Sequence, residues 1–146
     1  MSERQDHTVD RTGWPPGPWD GEPDRIEWRH EGLPCLILRG QFGALCGYVA
    51  VPPSHPCHGL GYDEVPAHAH GGLTYSDACA GRICHVPREG EPDDAWWLGF
   101  DCAHAGDVVP AFRIFLGDQE YRDVAYVRAE VESLAEQLTA AARSAT

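Results

Sequence analysis

Histidine and cysteine side chains are concentrated in the middle of this chain. The protein has eight histidines and six cysteines, and ten of these side chains lie between positions 55 and 104. Imidazoles and thiolates bind transition metals and act as bases or nucleophiles near neutral pH. The pattern is densest in two segments, His68-Ala-His70-Gly-Gly and Asp101-Cys-Ala-His104-Ala-Gly-Asp107. We expect the chemistry of the protein to lie there.

The first segment has the spacing of a metal-binding pair. On an extended backbone alternate side chains point to the same side, so His68 and His70 would meet one ion. Gly71 and Gly72 would let a substrate or another backbone approach closely. The alternative is a pair of hydrogen-bonded loop histidines with no ligand.

The second segment directly follows an apolar strand, where a rigid scaffold often presents reactive groups. Asp101, His104 and Asp107 recur every three residues and would share one face of a helical turn. A carboxylate beside an imidazole either completes a metal site or orients the ring as a general base. The alternative is structural, with an aspartate capping a turn at Gly106.

These patterns lead to two enzymatic hypotheses. In the first, His68, His70, His104 and Asp107 bind a divalent ion, zinc foremost, with Asp101 beside them, and the bound water becomes the nucleophile of a small hydrolase. In the second, Cys102 is the nucleophile of a metal-free Cys/His enzyme. The alternative for Cys102 is burial, because strand alternation places it opposite Asp101.

A zinc-ribbon interpretation is weaker. Cys79 and Cys84 together with Cys57 and His58 offer four ligands, but paired cysteines two residues apart are absent. The cysteines are more simply interpreted as free thiols, most of them packed, in a reducing compartment.

Composition limits the partners. The formal net charge is −12, which repels nucleic acid and anionic membranes. No phosphate-binding loop or dinucleotide-binding glycine pattern is present, so no nucleotide cofactor is indicated. A small-molecule substrate is therefore expected, or, in a third hypothesis, a non-catalytic acidic protein binds a host protein.

The hydrophobic pattern predicts an α+β fold with a mainly antiparallel sheet and long connecting loops. Short apolar runs predict strands at 26–28, 33–39, 44–51, 73–76, 82–86 and 95–100. Apolar residues spaced three and four apart predict an amphipathic helix over 120–142, packed on the sheet, with Asp118 as its N-cap and Arg128 paired with Glu132.

One domain is expected over 21–146, preceded by a flexible arm over 1–20 that is polar and then rich in proline and glycine. The N-terminus has no apolar signal region and no run approaches the length of a membrane span, so the expected location is cytoplasmic. The oligomeric state is left open.

Several segments carry a resemblance to a known family: Gly32-Leu-Pro-Cys-Leu, Gly43-Ala-Leu-Cys-Gly-Tyr-Val, His70-Gly-Gly-Leu-Thr, Ile83-Cys-His-Val-Pro, Trp96-Trp-Leu-Gly-Phe-Asp-Cys-Ala-His-Ala-Gly-Asp107 and Tyr121-Arg-Asp-Val-Ala-Tyr-Val. Through them the chain resembles an uncharacterised protein family common in bacteriophages and bacteria, over about residues 30 to 135. The resemblance implies a phage or prophage-like context, with the host cytoplasm as the location, and implies no particular reaction.

Overall fold

An antiparallel sheet of six strands forms the body of the protein, and a C-terminal helix lies on one of its faces. The computed structural model describes residues 3–84, 93–112 and 119–144. Strands β1 to β6 are Arg4–Asp6, Arg25–His30, Leu33–Arg39, Leu45–Val51, Tyr75–Ala78 and Trp96–Asp101. Helix α1 is Val124–Ser144, and two single-turn 3₁₀ helices are Tyr62–Glu64 and Pro110–Phe112. The predicted α+β fold is confirmed.

The strands lie in the spatial order β1-β2-β3-β4-β6-β5, and every neighbouring pair is antiparallel. The hairpin between β2 and β3 turns at Glu31 and Gly32, whose φ angles are 54° and 76°. Positive φ at both central residues is the geometry of a tight two-residue hairpin turn. Strand β6 enters between β4 and β5, so its C-terminal end lies inside the sheet rather than at an edge.

Strand alternation gives the sheet two buried faces. The face under α1 is formed by large apolar side chains from three central strands, namely Cys35, Ile37, Leu45, Val49, Leu98 and Phe100. A smaller cluster on the opposite face contains Leu36, Leu38, Tyr48, Ala50, Ala95 and Trp97. Trp96 packs against the first cluster and Trp97 belongs to the second, so the two indoles lie on opposite sides of β6.

Helix α1 buries the residues that the spacing predicted, including Val127, Val131, Leu134 and Leu138. It begins at residue 124, where the Asp123 carboxylate accepts a hydrogen bond from the amide of Tyr126 at 2.8 Å. Asp123 therefore acts as the N-cap. The cap predicted at Asp118 lies outside the described residues.

The solvent side of α1 carries the predicted ion pair one turn apart, with Arg128 Nε 3.8 Å from Glu132 Oε2. No helix in the described part of the chain is long and apolar enough to cross a bilayer.

Two of the shorter strand predictions differ from the structure. The strand expected at 73–76 lies two residues later, at Tyr75–Ala78. In the run expected at 82–86, Ile83 makes only an isolated bridge with Ala80, and residues 85 and 86 lie outside the described part.

The N-terminal segment has more regular structure than its composition predicted. Arg4–Asp6 pairs with β2 as an edge strand, and the Trp19 side chain is buried. The expectation of a flexible arm over 1–20 is therefore not met at these positions. An indole buries a large apolar area, and its N–H donates to the carbonyl of Pro15 at 3.1 Å, which satisfies its one polar group.

A buried ion network attaches this segment to the sheet. The Arg39 side chain has no solvent exposure, and its Nε donates to Asp24 Oδ1 at 2.9 Å. Its Nη1 donates to the Gly43 carbonyl at 2.9 Å and to the Tyr121 hydroxyl at 2.8 Å. Arg11 also bonds Asp24. The buried guanidinium is thus paired and hydrogen-bonded, as a charge removed from water must be.

Candidate active site

The two predicted segments meet at the C-terminal end of β6. Asp101 is the last residue of that strand, and the loop after it carries Cys102, His104 and Asp107. The amide of Asp107 donates to the carbonyl of His104 at 2.9 Å, and the amide of His104 donates to Asp107 Oδ2 at 3.0 Å. These two hydrogen bonds form a tight turn, which places the His104 and Asp107 side chains next to His70. His70 belongs to the loop that precedes β5.

His70 and Asp107 form the buried half of the site. His70 Nε2 donates to Asp107 Oδ2 at 2.9 Å, and His70 Nδ1 is 2.8 Å from the Tyr126 hydroxyl. Proton donation from Nε2 leaves Nδ1 to accept from the tyrosine. The two side chains are 13% and 1% exposed. Both ring nitrogens of His70 are therefore occupied, and this histidine is held as part of the framework.

Asp107 is a buried carboxylate that remains ionised. Besides His70 and the amide of His104, it accepts a hydrogen bond from Arg122 Nε at 3.0 Å. Burial alone would raise the pKa of Asp107, but the hydrogen bonds from His70, Arg122 and the His104 amide outweigh it, so the pKa lies below its usual value. Arg122 also stacks on the Tyr126 ring, its guanidinium carbon 4.9 Å from the ring centroid. The carboxylate thus joins both loops to the segment that precedes α1.

His104 and Asp101 form the accessible half. His104 Nε2 lies 3.3 Å from Asp101 Oδ1, and the two side chains are 34% and 35% exposed. The Nε2 atom itself is buried and, among the described residues, has no partner in hydrogen-bond geometry. Asp101 is fixed by the Thr74 hydroxyl at 3.1 Å and by the amide of Ala103 at 3.1 Å. A small rotation of the imidazole would turn this ion-pair distance into a direct hydrogen bond.

The His104 ring packs against Gly71, where the absence of a side chain leaves space for it. The amide of Gly72 donates to the carbonyl of Ala69 at 2.8 Å, closing a four-residue turn in which Gly71 has φ +70°. That conformation favours glycine. A Cβ at position 71 would lie 2.4 Å from Cδ2 and 2.5 Å from Nε2 of His104. The backbone of the His70-Gly71-Gly72 segment thus forms one wall of the site, as the glycine pair predicted.

The two histidines are neighbours with different surroundings. Their ring centroids are 6.0 Å apart at an interplanar angle of 59°. His70 has hydrogen-bond partners at both nitrogens, whereas His104 Nε2 has none among the described residues. An accessible imidazole backed by a carboxylate is the arrangement of a general base.

The predicted metal set does not assemble. In the described part of the chain, His68, His70, His104 and Asp107 are not among the side chains whose ligand atoms lie close enough to share an ion. The His68 side chain is exposed, and its backbone amide and carbonyl bond the Gln137 side chain of α1 at 2.8 and 2.9 Å. His70 has no free lone pair while it bonds Tyr126 and Asp107. These residues do not fit one divalent ion.

Cys102 is not placed as a nucleophile. It is 2% exposed within the apolar cluster under α1. Burial, followed by the negative charge of Asp107, raises the pKa of its thiol far above the usual value. Since the thiolate is the reactive form, this cysteine is inert in the folded protein. Cys102 is therefore a packed core residue, which is the alternative given above. Strand alternation turns its side chain inward, whereas the Asp101 side chain faces the site.

The remaining histidines and cysteines of the central segment have other surroundings. His55 is buried between the carbonyl of Leu138, at 2.8 Å, and the amide of Cys57, at 2.9 Å, so it packs the loop onto α1. His58 bonds the carbonyl of Asp94 at 2.8 Å. Neither Cys57 nor His58 joins Cys79 and Cys84 in a ligand cluster among the described residues, so the four-residue zinc ribbon is not formed. Cys79 and Cys84 form a disulfide, contrary to the expected free thiols.

Sequence reasoning missed Arg122, Tyr126 and Thr74. Arg122 lies just before α1 and Tyr126 in its first turn, where the apolar spacing draws attention to Val124 and Val127 instead. Both belong to the Tyr121–Val127 segment that carries the family resemblance, which was the signal available for them. Thr74 had no such signal, because its role depends on the pairing of the β5 segment with β6.

Models of known families, curated proteins and solved structures show no match to this chain. The resemblance to a family of bacteriophages and bacteria stays a prediction.

Proposed function

We propose that this protein is a small hydrolase-like enzyme that acts on a small molecule by general acid–base catalysis at His104, without a bound metal. The observation that carries the proposal is the pairing of the accessible His104 imidazole with the Asp101 carboxylate at 3.3 Å. The same pair stands beside a fully hydrogen-bonded histidine, His70, and beside the turn at Gly71 and Gly72, where a Cβ at Gly72 would meet no atom within 4 Å.

The proposed chemistry uses the two sides of the His104 ring differently. Nδ1 takes a proton from water or from a substrate hydroxyl, which becomes the nucleophile, and returns it to the leaving group. Asp101, facing Nε2, stabilises the imidazolium that forms in between. A positioned base of this kind contributes about 10²–10⁴-fold to a rate. Asp101 is a positioning residue here, since it acts through His104.

The neighbouring network would keep this pair in place. Asp107 holds the backbone of the loop that carries His104, while Arg122 and Tyr126 tie Asp107 and His70 to α1. Catalytic groups need to be held within about 0.5 Å of their productive positions. A buried network of charge-assisted hydrogen bonds supplies such rigidity.

The test is a screen for hydrolysis of chromogenic carboxylic and phosphoric esters, amides and glycosides, with and without a chelator. Wild-type turnover should persist in the chelator and fall about 10²–10⁴-fold in His104→Gln. His68→Gln is the matched control, because His68 lies in the same neighbourhood but is exposed and outside the pair; its turnover should be unchanged. Activity that requires a metal and falls with His68→Gln would instead favour the metal-dependent hydrolase.

Asp101 can be tested without a known substrate. Acylation of histidines by diethyl pyrocarbonate, mapped by mass spectrometry, measures the nucleophilicity of each ring. Asp101→Asn should slow modification of His104 and leave that of His68 unchanged. Equal slowing at both positions would indicate a general structural change.

A second candidate function is binding of a basic host protein without catalysis. The net charge of −12 favours it, as does the contact between the exposed aromatic rings of Phe42 and Phe112, whose centroids are 4.6 Å apart. Exposed aromatic side chains are enriched at protein interfaces. This function predicts that His104→Gln binds the partner as wild type does, whereas Phe42→Ser does not.

A further inference from the structure

Two cysteines lie on a short turn at the other end of the β5–β6 pair. Cys79 directly follows β5, and Cys84 lies five residues later, which gives the spacing Cys-X₄-Cys. Ala80 and Ile83 exchange two backbone hydrogen bonds, at 3.1 and 3.0 Å, which closes the turn. The two sulfurs are joined as a disulfide with a Cα–Cα distance of 4.8 Å. This spacing is within the range found in zinc sites.

The turn is held in place by contacts other than the disulfide. Arg25 of β2 donates to the carbonyl of Arg82 at 2.7 Å and to the carbonyl of Cys84 at 2.6 Å. These are charge-assisted hydrogen bonds from a strand inside the sheet. The two cysteines would therefore stay near each other if the disulfide were reduced.

A carboxylate faces both sulfurs. Asp93 Oδ1 lies 3.2 Å from Cys84 Sγ, and Asp93 Oδ2 lies 3.4 Å from Cys79 Sγ. A disulfide sulfur carries no hydrogen, so it offers nothing for a carboxylate to accept. Two thiols or a metal ion would satisfy the same carboxylate. The position of Asp93 therefore points to a form of the site other than the disulfide.

We propose that Cys79, Cys84 and Asp93 bind one Zn²⁺ ion when the cysteines are reduced, with water completing the coordination. In the described part of the chain these three side chains are the one group whose ligand atoms all lie within 4.8 Å of one another. Tetrahedral zinc with ordinary Zn–S and Zn–O bonds separates a sulfur and an oxygen ligand by about 3.6 Å. Each sulfur has one carboxylate oxygen within a few tenths of an ångström of this value, with Oδ1 3.2 Å from Cys84 Sγ and Oδ2 3.4 Å from Cys79 Sγ.

Conversion of the disulfide form to the zinc-bound form takes a two-electron reduction followed by metal binding. A dithiol reductant gives two electrons and two protons to the Cys79–Cys84 bond, which breaks into two thiols while the reductant becomes a disulfide. Zn²⁺ then displaces both thiol protons. The ion would join the end of β5 to the segment that precedes β6, at the strand ends away from His104. The site is thus separate from the proposed catalytic pair.

The test is metal binding by the full chain, reduced with a phosphine and kept without oxygen. We expect one equivalent of Zn²⁺ in competition with a chromophoric chelator, and a thiolate-to-metal charge-transfer band when Co²⁺ is used as the probe. Protein with the disulfide intact should bind neither ion. Absence of both signals in the reduced wild type would overturn the proposal.

Variants assign the ligands. Loss of outer-shell partners already weakens metal sites about 10–100-fold, so Asp93→Asn, which removes an exposed ligand, should weaken zinc binding by about tenfold or more. Cys84→Ser should remove the charge-transfer band. Asp94→Asn and Cys46→Ser are matched controls and should bind as wild type does. Zinc affinity in Asp93→Asn equal to that of Asp94→Asn would show that the carboxylate is not a ligand and refute the site.

Discussion

Gly71→Ala should displace the His104 ring. It should lower the free energy of unfolding by little more than Gly72→Ala does. An added Cβ would lie 2.4 Å from Cδ2 of the His104 ring, far inside van der Waals contact. The ring is the end of a flexible side chain, so it should swing away from the turn rather than force the backbone apart. It would then lose its position beside Asp101.

Gly72→Ala is a matched control for this substitution. Position 72 has φ +87° and position 71 has φ +70°, but a Cβ at 72 meets no atom within 4 Å. Both variants carry the strain of a left-handed alanine, about 1–2 kcal/mol. Alanine also lowers the conformational entropy of the unfolded chain, which offsets about 0.4–1 kcal/mol of this strain. The free energy of unfolding of each variant should therefore fall by about 1 kcal/mol. The lost His104–Asp101 contact adds only about 0–1 kcal/mol, because exposed ion pairs contribute little.

The assay combines urea unfolding with NMR of the histidine rings. The free energies of unfolding of the two variants should agree within about 1 kcal/mol, whereas only Gly71→Ala should shift the His104 ring signals and remove activity. Equal perturbation of the ring in both variants would refute the reasoning, because the contact would then not be what positions His104. An unperturbed ring in Gly71→Ala would refute it as well.

Three further predictions concern the buried groups. Arg39→Ala should lower the free energy of unfolding by about 3 kcal/mol, the low end for breaking a buried ion pair, since Asp24 loses its fully buried guanidinium partner but keeps Arg11; a loss below about 1 kcal/mol in urea titration would contradict this. Asp107 has a lowered pKa, so its ionised form stabilises the fold above the ordinary carboxyl value of about 3.9, and that contribution disappears as the pH falls through the folded pKa. Urea midpoints measured from neutral to acidic pH should fall more steeply in wild type than in Asp107→Asn, and parallel curves would show that Asp107 does not contribute. Cys102 should resist iodoacetamide in the native protein and react only after unfolding, as followed by mass spectrometry; rapid native modification would contradict its burial.

The sequence was sufficient for most of the framework. The runs at 33–39 and 95–100 and the helical spacing after residue 120 predicted β3, β6 and α1 closely, because their apolar periodicity directly reflects which side is buried. The turn at Glu31 and Gly32 was predictable from its glycine. The N-terminal strand Arg4–Asp6 was not, because it is a short polar edge strand with no apolar pattern of its own.

The residue types and spacing also singled out His70, Asp101, His104 and Asp107, whose side chains lie near one another at the end of β6. Only the tertiary structure decided what each one does. The approach of α1 brings Arg122 and Tyr126 onto Asp107 and His70, which occupies the groups that a metal would need, while His104 keeps an accessible ring. Such long-range contacts depend on how the helix packs on the sheet, and local sequence does not encode them in any one segment. Local spacing predicted that chemistry was possible here, and packing determined which of the two histidines is free to perform it.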